Sequence, residues 1–197
     1  SLSRRNFTAP LFLVFLMVTM SWSSAIDNRL DAQQDSTSLS DIVVAHAGWL
    51  SPTTLDNTID VGMYSSLAID SNDNLHVAYY DDWNGSLEYM TYNDSTSSWS
   101  TPVSLDSTDR VGKNPSLAID SNDNLHVTYL DVTNYNLEYI TYNNSTSSWS
   151  TPVSLDSSTD NVGYESSLAI DSNDNLHVTY WDGTNGNLEY MTYDGSS

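Results

Sequence analysis

The sequence predicts an all-β protein built from repeated four-stranded antiparallel units. Two observations carry this prediction. Segments of the chain recur at an interval of about 50 residues, and apolar and polar residues alternate within them at the period of a β-strand. Helical periodicity is absent from the repeats, so helices are not expected there.

The repeat is read directly from the sequence. Twelve residues, SLAIDSNDNLHV, occupy 66–77 and recur at 116–127 and 167–178. A second segment, STSSWSTPVSLDS, occupies 95–107 and recurs at 145–157. Because long identical segments do not recur by chance, each copy is one structural unit.

The first half of each unit predicts two strands and a tight turn. In the first copy, strand A covers Ser66–Asp70 and strand B covers Leu75–Tyr80, both with alternating apolar positions. The intervening residues, 71–74, are Ser-Asn-Asp-Asn, which favour turn conformations.

The second half predicts two more strands. Asn84-Gly85 is a strong turn signal in the loop after strand B. Strand C then covers Leu87–Tyr92, and after a Ser/Thr-rich turn strand D covers Trp99–Leu105.

Four antiparallel strands in a unit of about 50 residues are typical of a β-propeller blade. A two-sheet sandwich is the alternative, and it explains the strands but not the integral repeat. The chain holds three blades' worth: a lone strand D at 49–56, units at 66–115 and 116–166, and a partial unit at 167–197. Propellers have about four to eight blades. We therefore expect a fragment of a longer product, with a homodimer completing a six-bladed ring as the alternative.

The N-terminal region has the pattern of an export signal. Arg4 and Arg5 precede the apolar run 11–20 and a small-residue site, which predicts a signal peptide over residues 1–25. The run is too short for a membrane span. Residues 26–41 are predicted to be a linker and residues 42–197 the repeats, so the expected location is secreted or at the cell surface.

The composition excludes several classes of function. The chain has 26 acidic and 5 basic residues, a formal net charge of −21, and no cysteine. Without cysteine there is no disulfide framework, thiolate zinc site or cysteine nucleophile. A strongly negative surface repels phosphate backbones, so we expect no nucleic acid partner.

The turn between strands C and D resembles the Asp-box, Ser-x-Asp-x-Gly-x-Thr-Trp. Asp94, Ser98 and Trp99 stand at its Asp, Thr and Trp positions, while Tyr92 and Thr96 depart from it. In the next unit the Asp is replaced by Asn, and Ser and Trp follow. The repeats thus resemble secreted propeller proteins with BNR or Asp-box-like repeats, related in architecture to sialidases. The resemblance covers residues 41–197 and implies the fold more than an activity.

Comparison of the units separates two ends of such a propeller. The A–B and C–D turns are nearly identical between units, whereas the B–C and D–A loops differ, and diversity on a common scaffold is where ligand contacts usually lie. We expect sugar or protein ligands there, with exposed aromatic rings stacking on sugars. The alternative is that these aromatic residues pack between blades. The candidate ligand-binding residues are Tyr64, Trp83, Arg110, Lys113, Tyr135, Tyr164 and Trp181.

Two further patterns suggest metals only weakly. The DSNDN turn places oxygens at alternate positions, as in a calcium loop, but lacks the glycine and the final Glu of an EF-hand. A turn held by Asx hydrogen bonds explains the same residues. The candidate calcium ligands are Asp70, Asn72, Asp120, Asn122, Asp171 and Asn173. The repeated strand-B histidines are expected to be hydrogen-bonded structural residues between blades; they are His76, His126 and His177.

These observations favour an exported, non-enzymatic propeller that binds carbohydrate or a cell-surface protein, with no cofactor except possible calcium. The alternative is a propeller glycoside hydrolase with catalytic residues partly outside this chain. The sialidase resemblance implies a three-arginine clamp, but beyond the predicted signal the chain has only Arg29 and Arg110. No catalytic residue is therefore predicted.

Overall fold

The computed structural model describes residues 50–157 and 161–195. The predicted signal peptide and linker, and the residues from there to 49, lie outside these ranges. The described residues from Pro52 onward belong to one compact unit. They form strands and turns, and this part of the chain contains no helix that is long and apolar enough to cross a membrane.

The described residues form thirteen strands, and every pairing between them is antiparallel. The strands of the first repeat are β1 (Met63–Ile69), β2 (Leu75–Asp81), β3 (Ser86–Asn93), β4 (Ser98–Trp99) and β5 (Val103–Asp106). The second repeat gives β6 (Val111–Ile119), β7 (Leu125–Asp131), β8 (Asn136–Asn143), β9 (Ser148–Trp149) and β10 (Val153–Asp156). The third gives β11 (Tyr164–Ile170), β12 (Leu176–Asp182) and β13 (Asn187–Tyr193).

The strands are arranged in three sheets, one for each repeat. In the first sheet β1, β2 and β3 lie in order, and β4 and β5 both pair with β3. The second sheet repeats this order with β6 to β10, and the third contains β11, β12 and β13. The all-β prediction and the antiparallel repeat unit are confirmed. The described sheets do not close into a ring.

The predicted strand D is divided into two short strands. Between β4 and β5 lie Ser100, Thr101 and Pro102, and proline has no N–H to donate to a neighbouring strand. The Ser100 N–H still donates to the Thr91 carbonyl at 2.8 Å, so the segment stays beside β3. The outer strand is thus one strand interrupted at a proline.

The inner strand begins earlier than predicted because it contains a bulge. β1 starts at Met63 rather than Ser66, and its register with β2 shifts between Met63 and Ser66. The bulge residues Tyr64, Asn114 and Glu165 occupy equivalent positions and have φ of 54°, 51° and 51°. A left-handed φ is usually signalled by glycine, and it is uncommon in other residues. Because tyrosine, asparagine and glutamate stand at these positions, the sequence does not signal the bulge.

The lone strand D predicted at 49–56 is not a strand over its described residues, 50–56. A strand needs a neighbour for its backbone groups, and no described strand lies beside this segment. It keeps one contact of an outer strand, because the Tyr79 hydroxyl donates to Asp56 at 2.7 Å.

Neighbouring sheets pack through a close backbone approach at glycine. A Cβ on Gly112 would lie 2.5 Å from the Leu87 backbone, and one on Gly163 would lie 2.8 Å from the Leu137 backbone. Both glycines have positive φ, 94° and 86°. Leu87 and Leu137 are fully buried beneath them. Only glycine permits this contact between β6 or β11 and the preceding sheet.

A buried hydrogen bond joins each outer strand to the next sheet. The Tyr129 hydroxyl, on β7, donates to Asp106 of β5 at 2.7 Å, and Tyr180 donates to Asp156 in the same way. Burial and the Asp106 carboxylate raise the pKa of Tyr129 far above its usual value, so the phenol stays protonated and donates.

The DSNDN turn is held by its first aspartate, as the Asx-turn alternative predicts. The Asp70 carboxylate accepts the N–H groups of Asn72 and Asn74 and the Asn74 side-chain amide, at 2.8–2.9 Å. Asp73 takes the left-handed conformation at φ 62°. The turns at Asp120 and Asp171 repeat these bonds.

The other aspartate of the turn joins neighbouring sheets. The Asp123 carboxylate accepts the Ser71 N–H at 2.9 Å and its hydroxyl at 2.6 Å. Asp174 accepts the same two groups of Ser121. The repeated sequence is therefore a turn in all three copies and an inter-sheet contact at the two junctions between them.

The repeated histidines are hydrogen-bonded, but within a sheet rather than between sheets. His76 Nδ1 lies 2.6 Å from the Tyr89 hydroxyl, and His126 Nδ1 lies 2.6 Å from that of Tyr139. Tyr89 is on β3, in the same sheet as His76. The Trp149 ring of the next sheet packs edge-on against Tyr89, with centroids 5.2 Å apart.

We expect Gly112→Ala to destabilise the protein by about 1–3 kcal/mol more than Gly186→Ala. Both glycines have positive φ, so both variants carry the backbone cost, but a Cβ at Gly186 meets no atom within 4 Å. Urea unfolding of the two variants measures the difference. Equal stability would show that the glycine contact does not set the sheet spacing.

We expect the free energy of unfolding to fall as the pH is lowered. Burial lowers the pKa of His126 below its usual 6.5, so stability present above that value is lost as the ring is protonated. Burial raises the pKa of Asp120, but hydrogen bonds from Asn124 and Asn122 outweigh it and hold the pKa below its usual 3.8. The stability that the ionised Asp120 carboxylate contributes is lost as the pH falls below 3.8.

Urea unfolding between about pH 8 and about pH 3 measures both steps. The variant His126→Gln should lose the step that begins near pH 6.5 and keep the acid step. Stability that stays constant over the whole range would contradict the assignment.

We expect EDTA to leave the melting temperature unchanged, because the Asp70, Asp120 and Asp171 carboxylates already accept hydrogen bonds that hold each turn. The measurement is a thermal melt with EDTA and with added calcium. A melting temperature that falls with EDTA and recovers with calcium would instead support the calcium-loop hypothesis.

Candidate functional site

The loops that differ between repeats lie together at one end of the sheets, which we call the variable end. It consists of the residues before each inner strand (57–62, 107–110 and 161–163) and the B–C loops (82–85, 132–135 and 183–186). Backbone hydrogen bonds connect the two sets: Asp82 N–H to the Asp60 carbonyl and Gly183 N–H to the Asn161 carbonyl. The identical turns lie at the other end, where the Asp94 N–H donates to Asn74.

Each B–C loop is fixed at its base by an aspartate. Asp81 accepts the N–H and the side-chain amide of Asn84, and Asp131 and Asp182 do the same for Asn134 and Asn185. All three aspartates are buried. The loops can therefore differ at their tips while their bases keep one geometry.

Four aromatic side chains in or next to the variable end are exposed to solvent. Trp83 is 67% exposed, Tyr64 and Trp181 are each 46% exposed, and Tyr135 is 43% exposed. Trp83 is the most exposed aromatic side chain among the described residues. Trp83 and Tyr135 are exposed on loop tips, whereas the equivalents of Trp181, which are Tyr80 and Leu130, are buried. The exposure of Trp181 therefore belongs to the outward face of the third sheet.

Tyr135 lies in a strained backbone position. Its φ is 57°, and the equivalent residues in the other loops are Gly85 and Gly186, at 67° and 71°. A left-handed conformation costs a residue with a side chain about 1–2 kcal/mol. A tyrosine at a position that otherwise favours glycine presents its ring on the loop tip, where the strain is compatible with a functional role.

A shallow cleft of about 310 Å³ lies between the three inner-strand bulges. Its lining residues are Tyr64, Ser65, Asn114, Pro115, Glu165 and Ser166. These are equivalent pairs of residues from the three repeats. The three bulge positions thus bring a phenol, an amide and a carboxylate to one place.

Of the two basic candidates, Lys113 lies beside this cleft, and Arg110 lies in the loop before β6. Lys113 Nζ is 5.4 Å from the centre of the Tyr64 ring, a cation–π distance. Arg110 is exposed and hydrogen-bonds the hydroxyl of buried Tyr80, which lowers the pKa of that phenol against the larger raising effect of burial. Arg110 and Lys113 are the two Lys or Arg residues in 50–197, so the variable end holds the positive charge of the repeats.

The structure brings some of the predicted ligand-binding residues together and leaves others apart. Tyr64 contacts Lys113, and Tyr164 packs edge-on against Trp181 with centroids 5.5 Å apart. Tyr164 also donates to Asn161 at 3.0 Å and is half-buried, so it supports Trp181. Trp83 and Tyr135 stand on separate loop tips.

Sequence analysis missed two residues of the cleft, Asn114 and Glu165. They align with Tyr64 in the repeat, and this column holds a different residue in every copy. That difference was the available signal. The predicted metal ligands lie at the opposite end, and among the described residues no group of three or more histidine and carboxylate side chains is arranged to hold a metal ion.

Comparison with solved structures finds a likeness in fold. The chain is similar to the NanB sialidase of Streptococcus pneumoniae, with 14% identity and a TM-score of 0.50 over 66% of this chain and 23% of that one. The intramolecular trans-sialidase of Ruminococcus gnavus gives 15% identity, a TM-score of 0.48, and 66% and 32% coverage. A fucose lectin from Kordia zhangzhouensis has 13% identity and a TM-score of 0.44, over 68% of this chain and 94% of the lectin.

No protein-family model and no curated protein matches the sequence. The chain spans under a quarter of the NanB sialidase and about a third of the trans-sialidase. At such low identity the likeness concerns the fold alone. The chain therefore has antiparallel sheets similar to those of the sialidase-like propeller.

Proposed function

We propose that this chain is an exported, non-enzymatic protein that binds carbohydrate at the variable end. The observation that carries the proposal is the exposure of Trp83, Tyr135 and Tyr64 at or next to one end of a scaffold whose other end is constant. Loops that differ on a common scaffold are where ligand contacts usually lie. Flat aromatic faces suit the apolar faces of sugar rings.

The cleft supplies the polar groups that such a site needs. Ligand sites combine apolar walls with a few placed polar groups, and their volumes begin near about 300 Å³. Asn114 and Glu165 offer an amide and a carboxylate to sugar hydroxyls, and Tyr64 offers a ring beside them. The cleft is of a size for one sugar unit, and Trp83 and Tyr135 offer exposed rings on separate loop tips for further units of a longer glycan.

The charge of the chain favours a neutral glycan. With a formal net charge of −21, the protein repels anionic sugars at a distance. Lys113 and Arg110 are engaged with Tyr64 and Tyr80, so neither offers an isolated cation for an anionic sugar. A neutral polysaccharide meets no such repulsion.

Binding is proposed rather than hydrolysis because of the carboxylates. A glycosidase commonly uses two carboxyl groups about 5–9.5 Å apart across the scissile bond. Among the described residues lining the cleft, Glu165 is the one carboxylate. Export is part of the proposal because a basic pair and an apolar run precede the repeats.

We expect the purified chain to bind neutral glycans on an array, and Trp83→Ala to weaken the affinity by at least about tenfold, since truncating an anchoring tryptophan commonly costs more than about 1 kcal/mol. Titration calorimetry with the best glycan measures the change. The control is Val103→Ala, which removes a 51% exposed apolar side chain on β5, outside the variable loops.

Three results would overturn the proposal. One is the absence of binding to any glycan, and another is an equal effect of the two variants. The third is turnover of a bound polysaccharide that Glu165→Gln abolishes, which would establish the hydrolase alternative.

A further inference from the structure

The outward face of the first sheet exposes residues whose equivalents are buried inside the molecule. Leu67 on β1 is 58% exposed, whereas Leu117 and Leu168 are 7% and 8% exposed. Ile69 is 57% exposed, but its equivalent Ile119 packs against the core between the first and second sheets. This face is the half of a sheet-to-sheet contact that receives a preceding sheet.

The third sheet exposes the complementary half. Leu188 on β13 is 78% exposed, whereas the equivalent Leu87 and Leu137 are completely buried under the following sheet. Tyr190 is 60% exposed, whereas the equivalent Tyr89 packs against Trp149 of the next sheet. The two terminal sheets thus present the two sides of the contact that is made twice within the chain.

The backbone repeats this complementarity. Asp56 accepts from Tyr79 at 2.7 Å, as Asp106 of β5 accepts from Tyr129, so residues 53–56 lie against the first sheet as β5 lies against the second. β5 pairs with β3, but no described strand pairs with 53–56. β13, the equivalent of β3, has no outer strand among the described residues. Among the described residues, the segment 53–56 thus occupies the position of an outer strand without a partner, and β13 is a strand without its outer neighbour.

Polar groups are left over in the same pattern. Within the chain, Ser71 donates to Asp123 of the next sheet, and the Leu117 N–H donates to the Ser66 hydroxyl. The equivalent groups for a further junction are Ser172 of the third sheet and Asp73 of the first. Both belong to exposed or half-exposed turns at the ends of the chain's sheets.

We propose that a second copy of this chain docks head to tail, with the third sheet of one copy packed on the first sheet of the next. Residues 53–56 of the second copy then form the outer strand on β13, in the register of β5 on β3. By that register Leu188 lies opposite Asp56, Glu189 opposite Thr54, and Tyr190 opposite Thr53 of the second copy. Gly62 of the second copy lies over Leu188 as Gly112 lies over Leu87.

Two copies joined at both ends close the arrangement. Head-to-tail contacts form rings when the rotation closes, and two copies of three sheets give six, within the range of about four to eight for propellers. Closure also removes the exposed edge of β13, which is otherwise a template for uncontrolled strand pairing.

The first test is the mass of the purified chain in solution, by light scattering and sedimentation over a range of concentrations, at physiological and at high salt because like charges oppose association. We expect twice the mass of one chain. Leu188→Asp should give a monomer that keeps the β-sheet circular dichroism of the folded chain, with a lower melting temperature because the junction is lost. Val103→Asp, which adds the same charge on β5, should stay dimeric. A wild-type chain that is monomeric in every condition overturns the proposal.

A matched pair of glycine variants separates docking from folding. A Cβ on Gly62 or on Gly195 meets no atom within 4 Å of the single chain, and both residues have positive φ. Gly62→Ala should weaken the dimer at least about tenfold because its Cβ meets the second copy, whereas Gly195→Ala should not. Equal effects on the dimer would contradict the proposed junction.

The absence of cysteine from the chain permits a direct test of register. The double variant Thr54→Cys/Glu189→Cys should form a reducible covalent dimer on oxidation, because these residues lie opposite each other in adjacent strands. Thr54→Cys/Asn187→Cys, which places the thiols out of register, should cross-link far less. Equal cross-linking of the two variants would overturn the pairing.

Discussion

The structure depends on one contact, the approach of each inner strand to the backbone of the preceding sheet at Gly112 and Gly163. Each sheet is apolar on both faces and cannot bury them alone, so stability comes from stacking. At 2.5–2.8 Å from a notional Cβ to the Leu87 and Leu137 backbones, no larger residue fits without moving the sheets apart. The Tyr129–Asp106 bond and its equivalents require that same spacing.

A second inter-sheet contact, made by the DSNDN turns at the opposite end of the sheets, explains why that end is constant. The first aspartate of the DSNDN turn accepts hydrogen bonds from the turn itself, and the second accepts them from a serine of the preceding sheet. Substitution of either aspartate would remove one of these sets of bonds, and the DSNDN sequence is identical in every repeat. The loops of the variable end are constrained only at their bases. Once Asp81, Asp131 and Asp182 hold their bases, the tips are open to change, and the exposed Trp83 and the strained Tyr135 are found there.

The sequence predicts the strands and turns well because both follow local rules. The alternation of apolar and polar residues predicts β2 and β3, and the Asn and Asp residues between strands predict the turns. Three features need tertiary information. The bulge at Tyr64, Asn114 and Glu165 has no glycine to mark it in the sequence. The prediction therefore missed the bulge and began the inner strand three residues too late. The outer strand breaks at Pro102, and no strand of the described residues pairs with residues 50–56. The cleft follows from the bulge, which is why Tyr64 was predicted while Asn114 and Glu165 were not.

The acidic composition is explained by the same geometry. Asp70 and Asp120 cap turns, Asp81 and Asp131 hold loop bases, and Asp106 accepts from a buried tyrosine. Each use recurs in every repeat, so duplication multiplies carboxylates that backbone N–H groups and hydroxyls already satisfy. Burial raises the pKa of Asp70 and Asp120, but hydrogen bonds to the ionised form outweigh it and keep the pKa low, so these groups stay charged at neutral pH. The charge therefore follows from how the turns are built, and the proposed ligand selection is assigned to the few side chains that differ between repeats.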